Sequence, residues 1–253
     1  MVTASREPAA PDGEDLFARS DEYDAMLAAG IGLSGEEKPF FIEGRLESLF
    51  RSLPADWRPR RVLDFGCGTG DTTAAFAARV PDAEVVGVDV SLPALEAARA
   101  RHRGARFATV AELPRLGAFD LCYLNGVLHH VEPAQRGATM AAIFAALRPG
   151  GRLALFENNA WNPGAWMVMR RIPFDRDAVP MSPREARQHV ASAGFAAIEL
   201  RSLFYFPRAL AALRPLERLL GRLPLGAQIQ VLARRPGGET DAAARVATAS
   251  LPK

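Results

Sequence analysis

The stretch Val62-Leu63-Asp64-Phe65-Gly66-Cys67-Gly68-Thr69-Gly70-Asp71 constrains this chain more than any other. A short, mostly apolar run leads into glycines at alternate positions, and an alanine-rich segment follows. The pattern predicts a buried strand, a tight turn and the start of a helix. Gly66, Gly68 and Gly70 let the backbone bend and come close to a ligand, because no Cβ stands in the way. Taken alone, such a turn suits almost any nucleotide, and it can equally be a strand-turn-helix that binds nothing.

From Pro54 onward strand-like and helix-like segments alternate, as they do in a parallel sheet. Strands are expected from Arg61 to Phe65, Glu84 to Asp89, Ala105 to Val110, Phe119 to Leu124 and Arg152 to Phe156. Helices are expected from Thr72 to Arg79, Leu92 to His102 and Pro133 to Leu147. A helix from Pro183 to Ala193, a strand-like run from Phe195 to Phe206, a leucine/arginine helix around Leu216 and a last strand from Gln228 to Ala233 complete the order. This divides the chain into a disordered N-terminus (1–13), a helical cap (14–56), a main domain (57–235) and a disordered tail (236–253). Within the main domain, 158–182 lacks a clean period and carries Pro163, Pro173 and Pro180, so it reads as a lid.

With 253 residues, 49% of them apolar, the chain can bury one sizeable core. The formal net charge of +2, with no dense Lys/Arg run, argues against nucleic acid as a partner. Cys67 and Cys122 cannot make a disulfide framework and fit a reducing, cytoplasmic setting. No apolar run reaches the roughly 18 residues of a spanning helix, so no integral membrane segment is expected. A monomer or a homodimer is expected.

The glycine turn, with Asp64 before it and Val85-Val86-Gly87-Val88-Asp89-Val90 after it, resembles the S-adenosylmethionine-binding site of class I methyltransferases of the small-molecule type. Phe119-Asp120, followed by Leu128-His129-His130, is similar to a segment common in that group, and Leu147-Arg148-Pro149-Gly150-Gly151 is similar to the turn before its fifth strand. The resemblance implies an α/β fold: a Rossmann-like seven-stranded mixed sheet of order 3-2-1-4-5-7-6 with helices on both faces, an N-terminal helical cap and a lid insertion after strand five. It implies S-adenosylmethionine as cofactor and S-adenosylhomocysteine as product.

Residue by residue, the resemblance places Gly66, Cys67, Gly68 and Gly70 under the methionine part and Asp64 near its ammonium group. Asp89 would accept the ribose hydroxyls; its alternative role is a helix N-cap. Val110 stands where an acidic residue is expected, so the adenine falls to the backbone of Val110 or Ala111 with apolar packing from Val90, or to Glu112. Asn125 faces the glycines, and Tyr23 could close over the methionine end.

His130, His129 and Glu157 are the candidate catalytic residues. Histidine titrates near neutrality and can serve as a base; the alternatives are a packed ring and a capping ring. Successive helical residues point about 100° apart, so the two rings are not expected to serve one atom. No carboxylate or cysteine lies at ligand spacing around the pair, and no metal site is expected. Glu157 is a base, an orienting group or a solvated loop acid. For the substrate, Lys38 and Arg45 share a helix stripe with Phe41, and Trp161, Arg171 and Arg176 stand in the lid. Those arginines suit an anionic acceptor, or they pair with Asp175 and Asp177. The favoured reaction is methyl transfer to a hydroxyl or carboxylate of a secondary metabolite or sugar. Transfer to carbon or nitrogen, or a cofactor-binding scaffold without transfer, remain the alternatives.

Overall fold

A computed structural model describes residues 20–175 and 178–237, the side chains of 20–24 excepted. The expected disorder at 1–13 and over most of 236–253, the Tyr23 side chain, Arg176 and Asp177 lie outside the described residues.

Strands β1 (Arg61–Phe65), β2 (Glu84–Asp89), β3 (Arg106–Thr109), β4 (Phe119–Asn125), β5 (Leu147–Asn158), β6 (Ala196–Leu203) and β7 (Gln228–Arg234) form one sheet of order β3-β2-β1-β4-β5-β7-β6. The pairs among β1 to β5 are parallel, whereas β7 runs antiparallel to both β5 and β6. The order reverses between β1 and β4, so the carboxyl ends of these two strands splay apart from opposite-going connections and leave a crevice. The glycine turn leaves β1 at that point.

Alternation along β1 sorts its side chains into two layers. Val62 joins Leu46, Leu49, Phe76, Tyr123 and Phe156 on one face. Leu63 and Phe65 join Val86, Val88, Leu124, Met140 and Leu155 on the other. Helix α2 (Lys38–Ser52) presents Ile42, Leu46 and Leu49 to the first layer at helical spacing, and Leu46 and Leu49 are fully buried. Burying each leucine contributes about 1.5–3 kcal/mol. The second helix of the expected cap is therefore a core element. Helix α1 (Ser20–Ile31) lies before it and continues through Gly30; a Cβ there would meet Ile172 of the lid at 2.1 Å, so this glycine serves close approach.

Helices α3 (Asp71–Arg79), α4 (Leu92–Arg101), α5 (Arg136–Ala146) and α7 (Pro183–Ser192) flank the sheet, and α6 (Pro163–Met169) lies in the lid. The expected helix from Pro133 starts three residues late because Pro133–Gln135 make a turn. The leucine/arginine helix around Leu216 is instead a 3-10 segment, Arg208–Leu216, kinked at Leu210, followed by the short α8 (Glu217–Leu220). Pro215 cannot donate to a regular helix, which accounts for the break. The lid is docked: Asn159 bridges to Met181, Val179 N donates to His129 O at 2.9 Å, and Met181 is fully buried.

Candidate functional site

A cavity of about 440 Å³ opens at the carboxyl ends of β1 and β4. One end is lined by Asp64, Gly66, Cys67, Gly68 and Asn125, the other by His129, His130, Phe174 and Asp175. Phe40, Phe41, Phe204 and Phe206 line it as well.

At the first end the turn has the conformation that its glycines allow. Gly66, Gly68 and Gly70 have φ of +73°, +51° and +84°, in the left-handed region. A Cβ on Gly66 would strike Val127 at 2.4 Å, whereas one on Gly68 would meet no atom within 4 Å. Gly66 is thus required by packing within the protein, and Gly68 faces open cavity. Asp89 fixes the turn: its carboxylate accepts from Gly68 N at 2.8 Å and from Ser91 N at 2.9 Å. Ser91, not Asp89, caps α4, its hydroxyl accepting from Ala94 N.

Asp64 is buried and accepts from Thr73 Oγ1 at 2.7 Å. Burial, with the Asp89 charge adding to it, pushes its carboxyl up to about 7 against the Thr73 hydrogen bond and the Arg45 charge. In the same cavity the buried Asn125 Oδ1 has no partner among the described residues. An unpaired buried acceptor costs roughly 1–3 kcal/mol, so this one marks a place for a donor. Cys67 and Cys122 are buried, and burial holds both thiols well above their ordinary range, which makes them unreactive. Val90 is exposed, an apolar face beside the turn. Val110 and Ala111 open a 3-10 turn in which Glu112 accepts from Thr109 N at 2.7 Å. That capping box engages one carboxylate oxygen of Glu112, Oε2.

The second end corrects three expectations. Residues 126–132 form turns and bends, not a helix, so the two histidine rings do not diverge. Their centroids lie 4.2 Å apart. His129 Nε2 and His130 Nε2 both approach Asp175 Oδ1, at 3.5 and 3.2 Å. Asp175 comes from a 3-10 turn of the lid, Pro173–Asp175, and is the carboxylate that local spacing could not supply. Third, Glu157 is neither an accessible base nor a solvated acid. It is completely buried, accepts from Val127 N at 3.1 Å and Leu128 N at 2.8 Å, and lies 2.6 Å from His129 Nδ1. Burial would push the His129 imidazole down, but the Glu157 and Asp175 charges and hydrogen bonds outweigh it and raise it to about 10. The two carboxylates thus favour the protonated His129 ring while no cation replaces its proton. Asp175 is held below the usual carboxylate range: burial opposes this, and the hydrogen bonds and charges of both histidines prevail.

The expected substrate contacts separate. Lys38 lines the cavity but its ammonium is tied to Asp71, the first residue of α3, and so clamps α2 to the glycine turn. Arg45 also lines the cavity; it is buried, and its guanidinium donates to Tyr123 Oη at 3.0 Å and Gln228 Oε1 at 3.2 Å. Trp161 and Arg171 are exposed and do not line the cavity. Sequence reasoning missed Phe174 and Phe204. Phe204 packs its ring 5.0 Å from that of Phe41 and holds a φ of +60°, which costs an ordinary residue on the order of 1–3 kcal/mol. The only local signal was an aromatic run at the end of a strand.

Residues 62–151 match the family model of a methyltransferase domain. A trans-aconitate 2-methyltransferase from Methylobacterium radiotolerans is 43% identical over 99 residues, which cover 38% of this chain and 37% of that protein. A ribosomal RNA large subunit methyltransferase G from Streptomyces coelicolor is 39% identical over 135 residues, covering 48% of this chain and 35% of that one. The chain thus spans little more than a third of the length of these curated relatives. The crystal structure of a SAM-dependent methyltransferase from Thermotoga maritima aligns with a TM-score of 0.61 at 18% identity, over 88% of this chain and 99% of that one. With the sheet order above, these findings give the chain the class I methyltransferase fold and, over residues 62–151, a methyltransferase domain.

Proposed function

We propose that this chain, whose residues 62–151 are a methyltransferase domain, transfers a methyl group from S-adenosylmethionine to an oxygen of a small-molecule acceptor, a hydroxyl or a carboxylate. One observation carries the reading: a single cavity joins the glycine turn to the histidine cluster, so a donor and an acceptor share one volume. S-adenosylmethionine supplies a methyl group already activated on a sulfonium.

The residues fit that cofactor. The unpartnered Asn125 Oδ1 and the Asp64 carboxylate offer acceptors to an ammonium group, and Gly68 leaves the space that a Cβ would fill. Asp89, held by two backbone N–H groups, keeps lone pairs that suit the ribose hydroxyls. Backbone at Val110 and Ala111 with the exposed Val90 serves the adenine. The protein's main task is alignment and exclusion of water, for which the aromatic walls and the docked lid are suited. A hydroxyl acceptor must lose its proton, and the histidine cluster on the cavity wall is where the chain meets that proton. A carboxylate acceptor needs no base. The name of the Methylobacterium relative favours a carboxylate, while the Streptomyces relative has an RNA substrate in its name, so likeness of this extent does not fix the acceptor.

Incubation with methyl-labelled S-adenosylmethionine and a panel of carboxylic acids, trans-aconitate among them, and aromatic alcohols tests this. Label that alkali releases marks an ester, and label that resists it marks an ether. Label recovered only on RNA or protein overturns the small-molecule reading, and no cofactor binding overturns the whole of it.

A further inference from the structure

The fold brings two imidazoles and a carboxylate to one point of the cavity wall, and the sequence separates them by some forty-five residues. We propose that His129 Nε2, His130 Nε2 and Asp175 Oδ1 form a binding site for one divalent first-row cation, zinc being the natural probe, with an open position that takes an oxygen of the acceptor.

The geometry is that of a ligand set. Two atoms on metal bonds of about 2.0–2.1 Å at a tetrahedral angle stand roughly 3.3 Å apart. Asp175 Oδ1 lies 3.5 Å from one Nε2 and 3.2 Å from the other, and all three ligand atoms lie within 4.8 Å of one another. The supporting shell is present too. Metal-bound histidines usually donate their second ring N–H to a carboxylate, which fixes the tautomer and turns the lone pair toward the ion. Glu157 occupies that place at His129 Nδ1, 2.6 Å away, and is itself held by Val127 N and Leu128 N.

Charge points the same way. Glu157 and Asp175 put two carboxylates into a mostly buried corner, and a dication that displaces the proton of His129 Nε2 balances them with both imidazoles neutral. Two nitrogens and one oxygen suit zinc and its first-row neighbours better than magnesium or calcium, which favour oxygen ligands. All three ligand residues line the cavity and the His130 side chain is partly exposed, so an oxygen of a substrate in the cavity can take the unfilled position. That last step rests on the oxygen-acceptor reading above, whereas binding of the ion does not.

The test uses the full chain without a histidine tag, stripped with a chelator and titrated with zinc or with cobalt(II), whose visible spectrum reports nitrogen and oxygen ligands. One ion per chain is expected. His130→Ala and Asp175→Asn should each weaken binding at least tenfold, and Glu157→Gln should weaken it roughly ten- to a hundredfold. Circular dichroism verifies folding; His130→Ala removes a part-exposed ring and should stay folded. Failure of wild type to hold a stoichiometric ion, or unchanged binding in both His130→Ala and Asp175→Asn, overturns the site. S-adenosylmethionine binding, measured calorimetrically on the same samples, separates the two readings: cofactor binding without metal sinks this proposal alone, and metal binding without cofactor sinks the functional one.

Discussion

The Glu157 carboxylate lies 2.6 Å from Nδ1 of His129, both side chains are buried, and the two residues come from different strand ends joined only by the sheet. β4 delivers the turn that carries His129, and β5, its parallel neighbour, delivers Glu157 at the same level. One of the two rings that the sequence offers as a base is thereby fixed in orientation.

Replacing Glu157 by Gln should expose that dependence. Removing one partner of a buried ion pair costs about 3–5 kcal/mol, and the amide nitrogen would face Nδ1 as a second donor. A lower melting temperature is expected, with cofactor affinity nearly unchanged and kcat reduced at least tenfold. Equal kcat in the folded variant would show that His129 has no part in acceptor alignment.

Asp64 gives a pH dependence of unusual sign. Its folded carboxyl lies near 7, above its ordinary 3.8, so between these values the native chain binds more protons than the unfolded one. Its contribution to stability therefore declines as pH rises from about 4 to 7 and stays low above that. Asp64→Asn removes the penalty: at pH 8 it should raise the chemical denaturation midpoint while weakening S-adenosylmethionine binding at least tenfold. A midpoint that falls in the variant at pH 8 contradicts the burial argument.

Gly66 and Gly68 share a left-handed backbone but differ in what surrounds them. Gly66→Ala forces a Cβ against Val127 and should reduce folded yield or melting temperature sharply. Gly68→Ala should cost only about 1 kcal/mol of backbone strain yet lower cofactor affinity strongly, because its Cβ enters ligand space. Thermal melts beside binding isotherms distinguish the two.

Asn125 carries an acceptor that nothing among the described residues satisfies. Asn125→Leu removes a buried unpaired polar atom, so stability should hold or rise, while losing a bond to a charged donor should cost about 1.5–3 kcal/mol of cofactor binding. Calorimetry with S-adenosylmethionine and S-adenosylhomocysteine measures it. Unaltered affinity would place the ammonium group elsewhere.

Much of the fold was legible in local pattern. β2 was expected from Glu84 to Asp89 and is found there, and the glycine spacing located the turn and Asp89 correctly beside it, since Asp89 bonds Gly68 across 21 residues. The histidine cluster was only half legible. The residues His129, His130 and Glu157 were singled out, but their relation was misjudged because a helical turn was assumed where the chain makes bends.

By itself the sequence determined the alternation of strand and helix, the glycine turn and the acidic residues flanking it, because hydrophobic period and backbone freedom act within a few residues. Tertiary structure decided that Asp175 closes on both histidines, that Glu157 is an internal partner and that Lys38 is spent on Asp71. Those contacts depend on how the lid and α2 dock onto the sheet, and burial and Coulomb interactions between distant segments leave no periodic trace along the chain.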